Sequence, residues 1–141
     1  MNKKQITILI VTTFSSLLTP FMGSAINVAL PSIGSYFNSD IMTLNWVATG
    51  FLLSSSIFLL PAGRLADIYS LKLIFTIGIS IFGIFSIASA LSWNITSLIV
   101  FRVVQGIGGA MIFSTGVALL ISFFPIQQRG RVLGINVASV Y

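Results

Sequence analysis

The chain has 141 residues, of which seven are basic and two acidic, and 56% are apolar. A soluble domain carries about a quarter charged residues, so this composition cannot cover a core with polar surface, and lipid has to be the solvent for most of the chain. Histidine and cysteine are absent, and the net charge of +5 is scattered between apolar runs, which excludes a disulfide framework, a Cys/His zinc site, imidazole chemistry and a basic face for nucleic acid.

The charged residues divide the chain into apolar stretches. No charge lies between Lys4 and Asp40, between Asp40 and Arg64, between Lys72 and Arg102, or between Arg102 and Arg129. Each gap can cross a bilayer, which needs roughly 20 apolar residues at about 1.5 Å rise each. The first span is expected over about residues 6–30, bent at Pro20, with Pro31 and Asn38 to Asp40 marking its exit. Its apolar run is longer than the roughly 7–15 residues of a signal-peptide core, so it reads as a retained span. The second is expected over about 44–62 with Trp46 as an interfacial anchor, and the third over about 73–91 with Trp93 beyond its end. The fourth runs over about 97–124, up to Pro125, and an incomplete fifth over 131–141.

Counting loops alternately from the N-terminus, one set holds Lys3, Lys4, Arg64, Lys72, Arg129 and Arg131, and the other holds Asp40 and no base. The positive-inside rule then places the N-terminus and the first set in the cytoplasm. Asn94-Ile95-Thr96 is a glycosylation sequon in form, but it lies close to the membrane and carries little weight.

Three segments hold candidate functional residues. The first is Gly63 to Lys72, read as a tight cytoplasmic connection. Gly63 permits close backbone approach, and Asp67 sits among Arg64 and Lys72, able to pair with a base or to meet a helix N-terminus. Topology alone explains the two bases but not a lone acid. The second is Phe101 to Ala110. An arginine inside a span costs roughly 2.5–3.5 kcal/mol on insertion scales, so Arg102 needs a polar partner, a wet cavity or a route to the headgroups by snorkelling. Gln105 lies on the same helical face, and Gly106 with Ala110, beside Gly109, suits close helix packing. The third is Ile26 to Pro31, containing Asn27.

These segments resemble, in order, motifs of the major facilitator superfamily. Gly63-x-Leu65-Ala66-Asp67 with Lys72 is similar to the family's loop between helices two and three, Gly-x-Leu-Ala-Asp-Arg-x-Gly-Arg-Lys, with Ile68, Ser70 and Leu71 in place of its Arg, Gly and Arg. The resemblance implies a cytoplasmic gate at Gly63, Arg64, Asp67 and Lys72 that holds the outward-facing state closed, weaker here for the missing positive charges. Arg102-x-x-Gln105-Gly106-x-Gly108-x-Ala110 resembles the fourth-helix motif that is linked to proton coupling in relatives. Asn27 to Pro31, followed by Trp46, resembles the first-helix end of the fourteen-helix drug/proton antiporter branch. That branch usually has an Asp a few residues earlier, where this chain reads Phe21-Met22-Gly23-Ser24. Arg129-Gly130-Arg131-x-x-Gly134 resembles the family's loop into helix five.

The expectation is therefore an all-α integral membrane bundle of the major-facilitator type, incomplete, with four transmembrane helices and the start of a fifth. The resemblance implies a multi-pass secondary transporter of the plasma membrane, exporting small or amphipathic molecules by proton-coupled alternating access, with no metal or cofactor. Its partners would be the bilayer, a small-molecule substrate, protons and the C-terminal helices of the same transporter, of which this chain is expected to be a fragment. Two alternatives stand beside it: a non-transporting accessory membrane protein, and a four-helix multidrug exporter acting as a dimer. The second requires a membrane-embedded acid, yet the two acids here, Asp40 and Asp67, fall outside the expected spans. The same scarcity leaves no support for an enzyme.

Overall fold

The computed structural model describes residues 2–140. Among these, five α-helices follow one another: α1 (Lys3–Phe37), α2 (Ile41–Ile68), α3 (Leu71–Ala90), α4 (Ile95–Phe123) and α5 (Ile126–Val140). The first four are long and apolar enough to cross a membrane.

α3 and α4 match the expected spans to within two residues, whereas α1, α2 and α5 outrun theirs, for one recurring reason. Charges and prolines mark where the apolar stretch ends, whereas a helix ends where its backbone is capped. The 35 residues of α1 reach about 52 Å at 1.5 Å each, against a hydrocarbon core of about 30 Å. Pro31 does not end α1, contrary to expectation. A proline deletes one backbone bond, and the turn beyond it is pinned to α2, where Leu44 packs so tightly on Gly34 that a Cβ there would lie 2.6 Å from Leu44 Cδ1. The helix stops instead at Asn38, which adopts the left-handed conformation at φ 49° and returns its N–H to the Gly34 carbonyl, as asparagine tolerates.

The expected loop from Gly63 to Lys72 is likewise mostly helix. α2 continues through Pro61 to Ile68, and Tyr69 and Ser70 alone separate it from α3. Ser70 N-caps α3, its hydroxyl accepting from Leu73 N at 3.0 Å. The connection expected over 125–131 is also shorter than expected: Arg129 and Arg131 lie on α5, which begins directly after Pro125. At the opposite end, Asn94 caps α4 in a reciprocal pair with Ser97, a structural use for the residue that heads the sequon.

α4 is the hub and carries the largest share of buried residues. Against α3 it packs backbone to backbone. A Cβ on Gly108 would lie 2.7 Å from Phe82 N, and one on Gly78 would lie 2.7 Å from Met111 Cβ. Phe51, Phe75, Phe82, Ile112 and Leu119 fill the centre, with Phe51 edge-on to Phe82 at 6.4 Å. A second cluster of Leu120, Phe124 and Val132 joins α4 to α5. Outer faces stay apolar, with Ile10, Phe14, Phe21 and Leu60 all exposed, as expected where lipid or further protein is the neighbour.

Candidate functional site

The α2–α4 contact forms because α4 offers glycine where α2 offers backbone. A Cβ on Gly106 would meet Phe51 O and Ser54 Oγ at 2.5 Å each, so no larger residue fits. The Ser54 hydroxyl donates across the gap to the Val103 carbonyl. One turn before Gly106, this close approach closes over Arg102.

Arg102 is 2% exposed, although it stands seven residues inside α4, about 10 Å from its start. Its Nη1 donates to Gln105 Oε1 at 2.7 Å and its Nε to the Val47 carbonyl of α2 at 3.4 Å. Its guanidinium carbon lies 4.5 Å from the centre of the Phe51 ring. The side chain therefore points into the bundle instead of snorkelling outward. A hydrogen bond to a charged group contributes about 1.5–3 kcal/mol and a desolvated cation–π contact about 2 kcal/mol, enough together to offset the insertion cost of the charge. No ion pair forms among the described residues, and both acids lie outside the site: Asp40 precedes α2 and Asp67 stands in its last turn. Gln105 is fully buried and its Nε2 has no hydrogen-bond partner. The site thus holds a fixed positive charge and a spare amide donor, both suited to an anionic or hydrogen-bond-accepting group.

The other expected residues lie elsewhere. Arg64, Asp67 and Lys72 are all exposed, on the last turns of α2 and the first of α3. Asp67 has no hydrogen bond or ion pair among the described residues, and it stands near the C-terminus of its own helix, where the dipole disfavours an anion. Gly63 is not at a close approach, since a Cβ there would find only Ser114 at 3.9 Å. Gly109 and Ala110 are buried, but the tight contact with α3 is made by Gly108, and a Cβ on Gly109 would be in ordinary contact at 3.5 Å. Asn27 and Pro31 are exposed.

Sequence reasoning missed a polar stripe. Thr12, Ser15, Ser16 and Thr19 are buried along one face of α1. Asn136 of α5 donates to Ser16 Oγ at 3.2 Å, and Thr115 of α4 is fully buried nearby in the bundle. The signal was present as polar residues recurring at three- and four-residue spacing within an apolar run.

The family model of the Major Facilitator Superfamily matches residues 12–141. The chain belongs to the major facilitator superfamily. It is 29% identical over 138 residues to the riboflavin transporter RibZ of Clostridioides difficile, covering 98% of this chain and 30% of that protein. It is 34% identical over 136 residues to the multidrug resistance protein Stp of Mycobacterium tuberculosis, covering 96% of this chain and 25% of that protein. The methylenomycin A resistance protein of Bacillus subtilis matches at 31% over 136 residues, 96% of this chain and 29% of the relative. The chain thus spans less than a third of the length of these curated relatives. With its four membrane-length helices, it is a multi-pass membrane segment of this superfamily, and the bundle is the incomplete all-α one that the sequence leads one to expect.

Proposed function

We propose that the protein containing this chain is a secondary transporter that exports small or amphipathic molecules by proton-coupled alternating access, in the cell membrane and with its N-terminus in the cytoplasm. The carrying observation is Arg102, a buried cation held by Gln105 and Val47 with no acid beside it. A guanidinium stays charged at all physiological pH, so it does not carry the proton itself. It acts on whatever carboxylate or anionic group comes close, favouring the deprotonated form and releasing it on protonation. Membrane-embedded charges are by default such functional sites. The acid would lie in helices beyond those described, or on the substrate.

Export is favoured by similarity to proteins named for multidrug and methylenomycin resistance. The orientation is favoured by geometry: Lys3, Arg64, Lys72 and Arg129 gather at one end of the bundle, where Gln5 of α1 donates to the Phe123 carbonyl of α4, and Asp40 lies at the other. The exposed residues Arg64, Asp67 and Lys72 are proposed to gate that end through contacts made with the rest of the transporter in one state only. The family membership favours this reading over the accessory protein and the small dimeric exporter. The test is transport in inside-out membrane vesicles energised by an acid interior, using a panel of cationic dyes and antibiotics. Uptake that collapses with a protonophore is expected, and uptake indifferent to it refutes proton coupling.

A further inference from the structure

We propose that α1 is the moving element of this bundle and bends about residues 15–20 against a rigid block formed by α2, α3 and α4. The block is rigid because its helices meet backbone to backbone. A Cβ on Gly106 would lie 2.5 Å from Phe51 O, and one on Gly108 would lie 2.7 Å from Phe82 N, so neither contact has slack. The contact of α1 with α4 is of another kind. A Cβ on Gly109 would lie 3.5 Å from Thr19 Cγ2, and one on Gly116 would lie 3.9 Å from Ser16 Oγ. Both glycines are buried, yet each leaves room for a methyl group.

The seam between α1 and α4 is polar but unfastened at mid-helix. Thr12 and Thr19 of α1 and Thr115 of α4 each donate back to a carbonyl of their own helix. Among the described residues, the one hydrogen bond from α1 to α4 is that of Gln5 to the Phe123 carbonyl at 3.0 Å, near one end of the helix. Towards the other end, Leu44 of α2 packs on Gly34. Pro20 lies midway between these two pins, 15 residues from Gln5 and 14 from Gly34. It has no N–H to give the Ser16 carbonyl four residues back, so the backbone is weakest where the seam is loosest. Asn136 donates to the Ser16 hydroxyl and not to that carbonyl, so α5 does not replace the lost bond. A helix pinned near both ends and slack in the middle can change its curvature by a small shear against its neighbour. The described helices themselves enclose the seam, with Thr12, Ser15, Ser16, Thr19 and Thr115 all buried, so the bend does not depend on what covers the outer faces. It is independent of proton coupling and of the direction of transport.

The test is amide hydrogen exchange, read by mass spectrometry on the protein containing this chain in lipid nanodiscs. Exchange reports local opening segment by segment. Amides of residues 17–24 in α1 are expected to exchange on the order of 10-fold faster than those of residues 105–116, which face them in α4. Gly116→Ala fills the seam with a methyl group that fits, and it should slow exchange over residues 17–24 by roughly 2- to 5-fold. Pro20→Ala restores the missing donor and should slow it further. Gly83→Ala makes the same change of residue on α3, at a position with nothing within 4 Å of the new Cβ, and should leave exchange in α1 as it is. Exchange over residues 17–24 no faster than in α4 overturns the proposal. So does exchange that either Gly116→Ala or Pro20→Ala leaves unaltered, or that Gly83→Ala slows equally.

Discussion

Replacing Gly106 by alanine tests the α2–α4 contact that buries Arg102. In an open helix, Gly→Ala stabilises by about 1 kcal/mol through backbone entropy. Gly83 of α3 is such a position, since a Cβ there meets nothing within 4 Å. At Gly106 the same Cβ would lie 2.5 Å from both Phe51 O and Ser54 Oγ and 3.2 Å from Ser55 N. Two of these are backbone atoms of α2 and cannot rotate aside, so the helices must separate by most of an ångström. Overpacking of this kind costs about 1–3 kcal/mol. The shift also stretches the Ser54 to Val103 hydrogen bond, which contributes about 1 kcal/mol. With the propensity gain subtracted, Gly106→Ala should be destabilising by about 1–3 kcal/mol and Gly83→Ala stabilising by about 0.5–1 kcal/mol. The assay is thermal unfolding in one detergent, followed by size-exclusion fluorescence, with the two variants beside the parent. Equal stability of Gly106→Ala and Gly83→Ala would refute the packing argument.

Single cysteines at Ser39, Ser70, Ser92 and Gln127, in a chain with no cysteine of its own, should label alternately from outside and inside the cell; labelling of Ser39 and Ser70 from one side would remove a span. Gln105→Leu deletes the oxygen that receives Arg102 Nη1 at 2.7 Å and should cost about 1.5–3 kcal/mol of stability, measured by the same thermal assay; an unchanged melting temperature would mean the pair is not formed. Asp67→Asn should reduce transport at unchanged protein amount and insertion, and normal rates would return Asp67 to an ordinary surface residue.

The spans were legible because lipid demands long uncharged runs, and four such runs cannot be hidden in 141 residues. Helix ends were not legible in the same way. Pro31 looked like a stop and is not one, because the turn after it is held by Leu44 against Gly34. Asn38, which the sequence also marks as part of the exit, is where the helix stops, in a left-handed conformation that asparagine tolerates. The Arg102–Gln105 pairing could be read from three-residue spacing, since both lie on α4. The contributions of Val47 and Phe51 could not, because they come from a different helix. The choice of Gly108 over Gly109 for the tight contact with α3 depends on the rotation of α4 against two neighbours at once, which a run of adjacent small residues leaves open.

The buried guanidinium of Arg102 is proposed to couple transport to protons. The direct measurement is transport driven by a pH gradient in vesicles holding equal amounts of the parent, Arg102→Lys and Arg102→Ala proteins. Lysine keeps the charge but loses the planar fork that reaches Gln105 and Val47 together, so coupling should be impaired with insertion unaffected. Alanine should abolish gradient-driven transport while inserting at least as well as the parent, because an insertion cost of roughly 2.5–3.5 kcal/mol disappears. An Arg102→Ala protein that transports as well as the parent would contradict the account and leave Arg102 as a packing residue between α2 and α4.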